Sequence, residues 1–274
     1  MTNRLGRWIA PAVLGLGAAA MLLPFWWMLL TAFRAPADIF HVSLLPVLDF
    51  AAAADNFGRA AAQVPMARFM LNGLIVCGGI LVVQVAIAVP AAYALAKLRF
   101  PGRDALFAVV VAALAVPMQA LALPLFVGLS HAGLLDTYFA MMVPFFLSVF
   151  AIFLLRQSFR GYPDEIIDAA RLDGFSEWEI CWGLVLRGSW PAVSAFAVFS
   201  VVAHWNDLYW PMIVVSSPSL APPPLGMMIF ADVESGANYG ALMAGATLIT
   251  APMVLSFLLA RRQFIAGITM SGVK

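Results

Sequence analysis

The run LIVCGGILVVQVAIAVPAAYALA, Leu74 to Ala96, decides the fold class. Its residues show none of the period-two alternation of a barrel strand, and a helix built from it is apolar on every face. At about 1.5 Å per residue it is long enough to cross a hydrocarbon core of roughly 30 Å. The rest of the chain has the same character. Hydrophobic residues make up 64% of the 274 positions and charged residues 11%, with a mean hydropathy of +0.96, against about 45–50% and about 25% in soluble domains. Six apolar stretches bounded by charge, Pro or Gly lie near residues 8–33, 70–96, 105–129, 138–158, 191–215 and 240–260. The chain reads as all-α, a polytopic membrane protein with six transmembrane helices in a single domain over residues 1–274.

The first stretch is longer than the apolar core of a signal peptide, about 7–15 residues. No small-residue cleavage site follows Phe33, and Arg34 flanks the stretch, so it is expected to remain as a permanent helix. Basic residues set the orientation, because short loops rich in Lys and Arg stay in the cytoplasm. With six spans, one side carries Arg4, Arg7, Lys97, Arg99, Arg103, Arg156, Arg160, Arg171, Arg187, Arg261, Arg262 and Lys274, and the other Arg34, Arg59 and Arg68. That asymmetry places both termini of this multi-pass protein in the cytoplasm. The net charge of +1 carries no signal for nucleic acid, and membrane lipid is the expected surroundings. Cys77 and Cys181 are too few for an oxidative framework and are read as packing residues.

The same assignment puts a charged island, Tyr162 to Pro191, inside the longest cytoplasmic loop (residues 159–190). It holds six of the fourteen acids, Asp164, Glu165, Asp168, Asp173, Glu177 and Glu179. Pro163 suits the first position of a helix and the acids after it suit the positive end of the helix dipole. Gly174 suits its end. Ser176 and Glu179 have the S-x-x-E spacing of a capping box, and Trp178, Cys181, Trp182 and Val185 recur at helical spacing behind it. Two short helices at a glycine turn are predicted, with Asp164, Glu165, Asp168, Arg171 and Asp173 available for charged contacts and Ala169 and Ala170 permitting close approach. An ordinary solvated loop with a common cap would have the same local signals. On the opposite side, residues 34–68 are expected to contain a short amphipathic segment, and the loop Ser216 to Tyr239 is expected to begin irregularly at SSPSLAPPPLG, where consecutive prolines remove helical donors.

The D-A-A-x3-G pattern at Asp168, Ala169, Ala170 and Gly174 resembles the EAA loop of ABC importer permeases. Asp168 stands where the family has Glu, and the downstream I-x-L-P is met loosely by Leu184 and Leu186, with Arg187 at the proline position. The resemblance extends along nearly the whole chain to the sugar-importing branch typified by the second permease of the maltose and glycerol 3-phosphate systems. It is carried by AAYALAKLRFPGRDALF (Ala91 to Phe107), GLLDTYFAMMVPF (Gly133 to Phe145), FLLRQSFRGYPDEIIDAARLDG (Phe153 to Gly174), WNDLYWPMIV (Trp205 to Val214) and RRQFIAGITMSGVK (Arg261 to Lys274). It implies a type I importer architecture in which the loop is a coupling helix seated in an ATPase cleft, with Glu165, Asp168, Ala169, Ala170, Asp173 and Gly174 at the contact. It also implies a second homologous permease subunit, two ATPase subunits and an extracytoplasmic substrate-binding protein, with the cytoplasmic tail 261–274 reaching toward the ATPase and the Ser216–Tyr239 loop toward the binding protein. The resemblance also implies a bacterial or archaeal inner membrane, with ATP and Mg on the partner ATPase. This chain has no G-x-x-x-x-G-K-[ST] loop, and no cofactor of its own or enzymatic role is expected.

Within the spans, polar groups default to functional candidates, and the fifth stretch holds a cluster, His204, Trp205, Asn206 and Asp207. Trp205 falls about 21 Å along the helix from Pro191, a depth suited to a substrate path. An indole stacks on a pyranose and an amide both donates to and accepts from hydroxyls. The competing reading makes Trp205, Tyr209 and Trp210 an interfacial aromatic belt, with Asp207 bonded to a neighbouring helix. Asn72, Gln84 and Gln119 are expected to bond between helices, and Pro90, Pro117, Pro124 and Pro144 to interrupt spans. No Lys or Arg lies deep in a stretch, which favours a neutral sugar over a polyol phosphate. Two rival classes are an ion-coupled transporter with Asp207 and His204 as relay, and an intramembrane enzyme. His41, His131 and His204 are too scattered to build the latter's site.

Overall fold

The computed structural model describes residues 4–39, 48–234 and 238–270; His41 and the last residues of the tail, 271–274, lie outside them. All regular elements among the described residues are helical. They are α1 (Arg4–Ala32), α2 (Phe50–Ala62), α3 (Met66–Lys97), α4 (Arg103–Ala113), α5 (Met118–His131), α6 (Tyr138–Met142) with a 3-10 continuation Val143–Phe145, and α7 (Val149–Arg160). There follow α8 (Asp164–Leu172), α9 (Glu177–Glu179) running through a π-helical segment Ile180–Val185 into α10 (Leu186–Gly188), α11 (Trp190–Trp205), α12 (Tyr209–Val214), α13 (Pro223–Glu234) and α14 (Tyr239–Met270). Three helices, α1, α3 and α14, are long and apolar enough to cross a bilayer alone, and three bent pairs bring the number to six if each pair is one span.

The chain packs as two units, Met1–Ala67 with Gly226–Ala251, and Arg68–Leu225 with Pro252–Lys274. In the first, α2 is the amphipathic segment expected before the second span. Asp49 caps it by accepting from Ala51 N and Ala52 N. Its buried Asn56 donates to Ala32 O and Arg34 O, both at 3.0 Å, so one amide serves two carbonyls released at the end of α1. Phe33 packs edge-on against Phe50 and Phe57.

In the second unit one apolar core joins Val89, Tyr93 and Leu95 of α3, Leu155 and Phe159 of α7, Ile167 and Ala170 of α8, Cys181 and Val185, and Phe196 of α11. Another joins Val76 and Ile80 of α3, Ala122 and Leu129 of α5, Met141 of α6, and Trp210 and Val214 of α12. Both cysteines are buried and unpaired by a disulfide, as packing residues.

The spans expected at 105–129, 138–158 and 191–215 are not continuous helices. α4 and α5 meet at 94° across Leu114, Ala115 and Val116, whose N–H groups bond three residues back before Pro117, which excludes its predecessor from helical geometry. The segment Tyr138–Phe145 meets α7 at 46°. Pro144 has no N–H for the carbonyl of Ala140, and Trp210 Nε1 donates to that oxygen instead, at 2.8 Å. The third bent pair is the helical run Glu177–Gly188 with α11, at 81°, and the stretch 191–215 is interrupted again between α11 and α12 at residues 206–208. Here Pro211 cannot bond Asp207 O, and Asp207 Oδ1 accepts from Trp210 N at 3.3 Å. Pro90 and Pro124 are accommodated inside α3 and α5. The prolines after Ser216 also behave differently from the expectation of an irregular start. Residues 215–217 and 221–222 are irregular as expected, but Pro218 starts a 3-10 turn, Pro218–Leu220, and Pro223 and Pro224 open α13, because a first helical turn needs no N–H and proline's fixed φ suits it.

Replacing Trp210 by Phe keeps the ring and leaves Ala140 O without its donor. The expected result is a loss of about 1 kcal/mol, read as a lower unfolding temperature of the detergent-solubilised protein.

Candidate functional site

The loop 159–190 folds as two helical arms about a left-handed glycine. Asp164 begins α8, one residue after Pro163, and Asp164 and Glu165 occupy its first turn. Gly174 has φ +85, a conformation that costs other residues roughly 1–2 kcal/mol, and Phe175 N closes the turn on Ala170 O at 3.0 Å. The capping box forms as read: Glu179 N donates to Ser176 Oγ and Ser176 N to Glu179 Oε2. Beyond it, Cys181 and Val185 are buried while Trp178 is exposed and packs against Trp182 at 5.7 Å.

Of the six residues expected at the contact, Ala170 is buried against the core, and Glu165, Asp168, Ala169, Asp173 and Gly174 are exposed. Asp168 accepts from Arg171 Nη1 at 2.9 Å. Apolar side chains share this surface: Ile166, Phe175 and Trp178 are exposed, and Leu172 is 90% exposed. Large apolar groups in water mark a surface that another molecule covers.

Three further residues tie the loop to α3. Lys97 donates to Tyr162 O at 2.6 Å and to Asp164 Oδ1 at 2.5 Å, and that hydrogen bond together with the ammonium charge holds the Asp164 carboxyl below the usual carboxylate range. Tyr93 donates to Glu177 Oε2 at 2.5 Å. Glu177 also takes Arg171 Nε at 2.7 Å, and this bond, the largest cause, raises the Arg171 guanidinium further above its ordinary value. Sequence reasoning counted Lys97 as a topology marker and Tyr93 as part of an apolar run. Their four-residue spacing on one helical face at a span end was the available signal.

The cluster at His204–Asp207 straddles the end of α11, and its members point into different environments. His204 lies against the Phe145 ring at 4.6 Å and 3.3 Å from Gln84 Nε2. Trp205 is buried at 3% exposure and Trp210 at 0%, so neither belongs to a lipid-facing belt. Asn206 is exposed and donates to Val202 O and Met253 Sδ, and Asp207 serves the break before α12. Gln84 and Asn72 bond between helices as expected. Gln84 donates to Phe145 O at 2.8 Å and accepts from Ser200 Oγ at 2.6 Å. Asn72 donates to Ser219 O and Ala221 O and accepts from Tyr138. Asp136, at φ 58, was not singled out from the sequence. It gathers Ser216 N, Ser217 N and the Ser217 hydroxyl, and the hydroxyl bond first of all lowers its carboxyl pKa. No group of three or more His, Cys, Asp or Glu able to hold a metal occurs among the described residues.

The pattern that defines the family described as "Binding-protein-dependent transport system inner membrane component" matches residues 84–269. The chain belongs to that family. Among curated relatives, the lactose transport system permease of Rhizobium radiobacter is 30% identical over 267 residues, 97% of this chain and 96% of that one. The arabinooligosaccharides transport system permease of Halalkalibacterium halodurans is 36% identical over 182 residues; that match spans 66% of this chain and 65% of the relative, about two thirds of its length. A solved chain of a bacterial ABC transporter involved in importing the acidic polysaccharide alginate superposes with TM-score 0.80 at 22% identity, over 96% of this chain and 99% of that one. The fold is thus that of an ABC importer permease in the inner membrane.

Gln84→Leu removes partners from Phe145 O and Ser200 Oγ together, with an expected loss of about 1–2 kcal/mol. Combining it with Ser200→Ala is expected to cost less than the sum of the two, since they share a bond; parallel detergent melts of the three variants check this.

Proposed function

We propose that this chain is the membrane-spanning permease subunit of an ATP-driven importer for a carbohydrate, working by alternating access. The observation that carries the reading is the near end-to-end match to a relative named for lactose transport, supported by a second relative named for arabinooligosaccharides. No Lys or Arg lies deep in an apolar stretch, which favours a neutral sugar over a phosphorylated one.

The loop 159–190 is the docking element for an ATPase subunit in this reading, with Glu165, Asp168, Asp173 and the exposed apolar residues around Gly174 facing the partner. Two such ATPase subunits, carrying ATP and Mg, a second homologous permease and an extracytoplasmic binding protein complete the assembly. The twelve-to-three division of basic residues supports a cytoplasmic loop and cytoplasmic termini. The 18-residue apolar window of α1 is only 6% buried within the chain, against 33% for α3, which leaves α1 for lipid or the second permease. His204, Trp205, Asn206 and Asp207 are proposed at the substrate path. His204 and Asp207 already have structural tasks beside Gln84 and at the α12 break, so an ion relay finds no support in them.

Reversing the charge with Asp168→Lys tests the docking assignment. The tagged wild-type chain is expected to copurify an ATPase, and the variant is expected to lose it or to hydrolyse ATP without uptake; normal assembly and transport by the variant contradict the assignment.

A further inference from the structure

We propose that Tyr93 and Lys97, four residues apart on α3, are the positioning residues through which displacement of the loop helices is carried into the membrane span. This rests on the reading of residues 159–190 as an ATPase docking element, and it names how a push on that element reaches a transmembrane helix.

Each loop arm meets α3 in two ways. Ile167 and Ala170 of α8, and Cys181 and Val185 beyond α9, pack into the core that holds Tyr93 and Leu95. Such apolar contact is non-directional and lets one surface slide on another at little cost. Beside it, a groove of about 710 Å3 opens between the end of α3 and α8, lined by Ala96, Lys97, Leu98, Asp164, Asp168 and Arg171 among others, so packing alone does not fix α8 to α3 there.

The directional links are polar. Lys97, whose side chain is 5% exposed, holds the start of the first arm through Tyr162 O and Asp164. Tyr93, 3% exposed, holds the start of the second through Glu177. Arg171 closes the circuit by bonding Glu177 at 2.7 Å and Asp168 at 2.9 Å, so both arms move as one body across the Gly174 turn. A rotation of the arms must either break these bonds or drag the end of α3 with it. The Lys97 and Tyr93 side chains are buried although the Asp164 and Glu177 carboxylates that receive them are exposed, and they favour the second outcome, because an unpartnered buried donor is costly.

The test uses the complete transporter in proteoliposomes, with Tyr93→Phe, Glu177→Ala and the double variant compared with wild type for melting temperature, ATPase copurification and sugar taken up per ATP hydrolysed. Tyr93→Phe is expected to assemble as wild type and melt only slightly lower, because Glu177 keeps Arg171 as a partner, while uptake per ATP falls by about fivefold or more. Glu177→Ala is expected to match it in uptake per ATP while melting lower, since the buried Tyr93 hydroxyl and Arg171 lose their acceptor, with uptake per ATP in the double variant no worse than in either single, and Lys97→Met to fall similarly as an independent check on the first arm. Unchanged uptake per ATP in Tyr93→Phe and Lys97→Met overturns the inference while leaving the docking reading in place. A loss of coupling matched by a loss of assembly also overturns it, since the residues would then merely build the loop. A wild-type chain that brings down no ATPase overturns both readings.

Discussion

A carbonyl that loses its helical N–H inside a bilayer must find another donor, because hydrocarbon supplies none and each unpaired group costs several kcal/mol. Three of the six candidate spans are bent helix pairs, and around the segment Tyr138–Phe145 side chains from other helices answer that constraint. Trp210 reaches Ala140 O, released by Pro144. Gln84 reaches Phe145 O at the end of the same segment, and Asn72 takes two carbonyls before α13. These polar residues of the spans are therefore joints between helices.

This view changes the meaning of the intramembrane polar groups. His204 to Asp207 look like one cluster because they are adjacent in sequence. In the structure they lie at the end of α11, where the chain leaves helical geometry, and they serve different neighbours. A broken helix at such a point is where transporters of several kinds expose backbone to a cavity. Asn206 is the exposed member.

Legibility in the sequence follows the range of the interaction. Local rules carry far: the capping box at Ser176 and Glu179, the left-handed turn at Gly174 and the amphipathic segment α2 depend on residues a few positions apart. Proline indicates that a hydrogen bond is lost and is silent about its replacement, so Pro144 marks a break but not that Trp210, far along the chain, repairs it. Pro90 and Pro124 carry the same local signal as Pro117 and Pro144, and are absorbed within α3 and α5, because tertiary context decides between kink and break. Tyr93 is hidden for the same reason. Within an apolar run a tyrosine reads as one more large side chain until the loop that receives its hydroxyl is folded against it.

The central claim is that energy from ATP, delivered through the loop 159–190, drives carbohydrate across the membrane through this chain. The most direct measurement is uptake of a labelled oligosaccharide into proteoliposomes holding the assembled transporter and its binding protein, with ATP enclosed and a protonophore and a sodium ionophore present. The account predicts accumulation that requires enclosed ATP and is indifferent to both ionophores. Accumulation without ATP that collapses when an ionophore dissipates the ion gradient would contradict it.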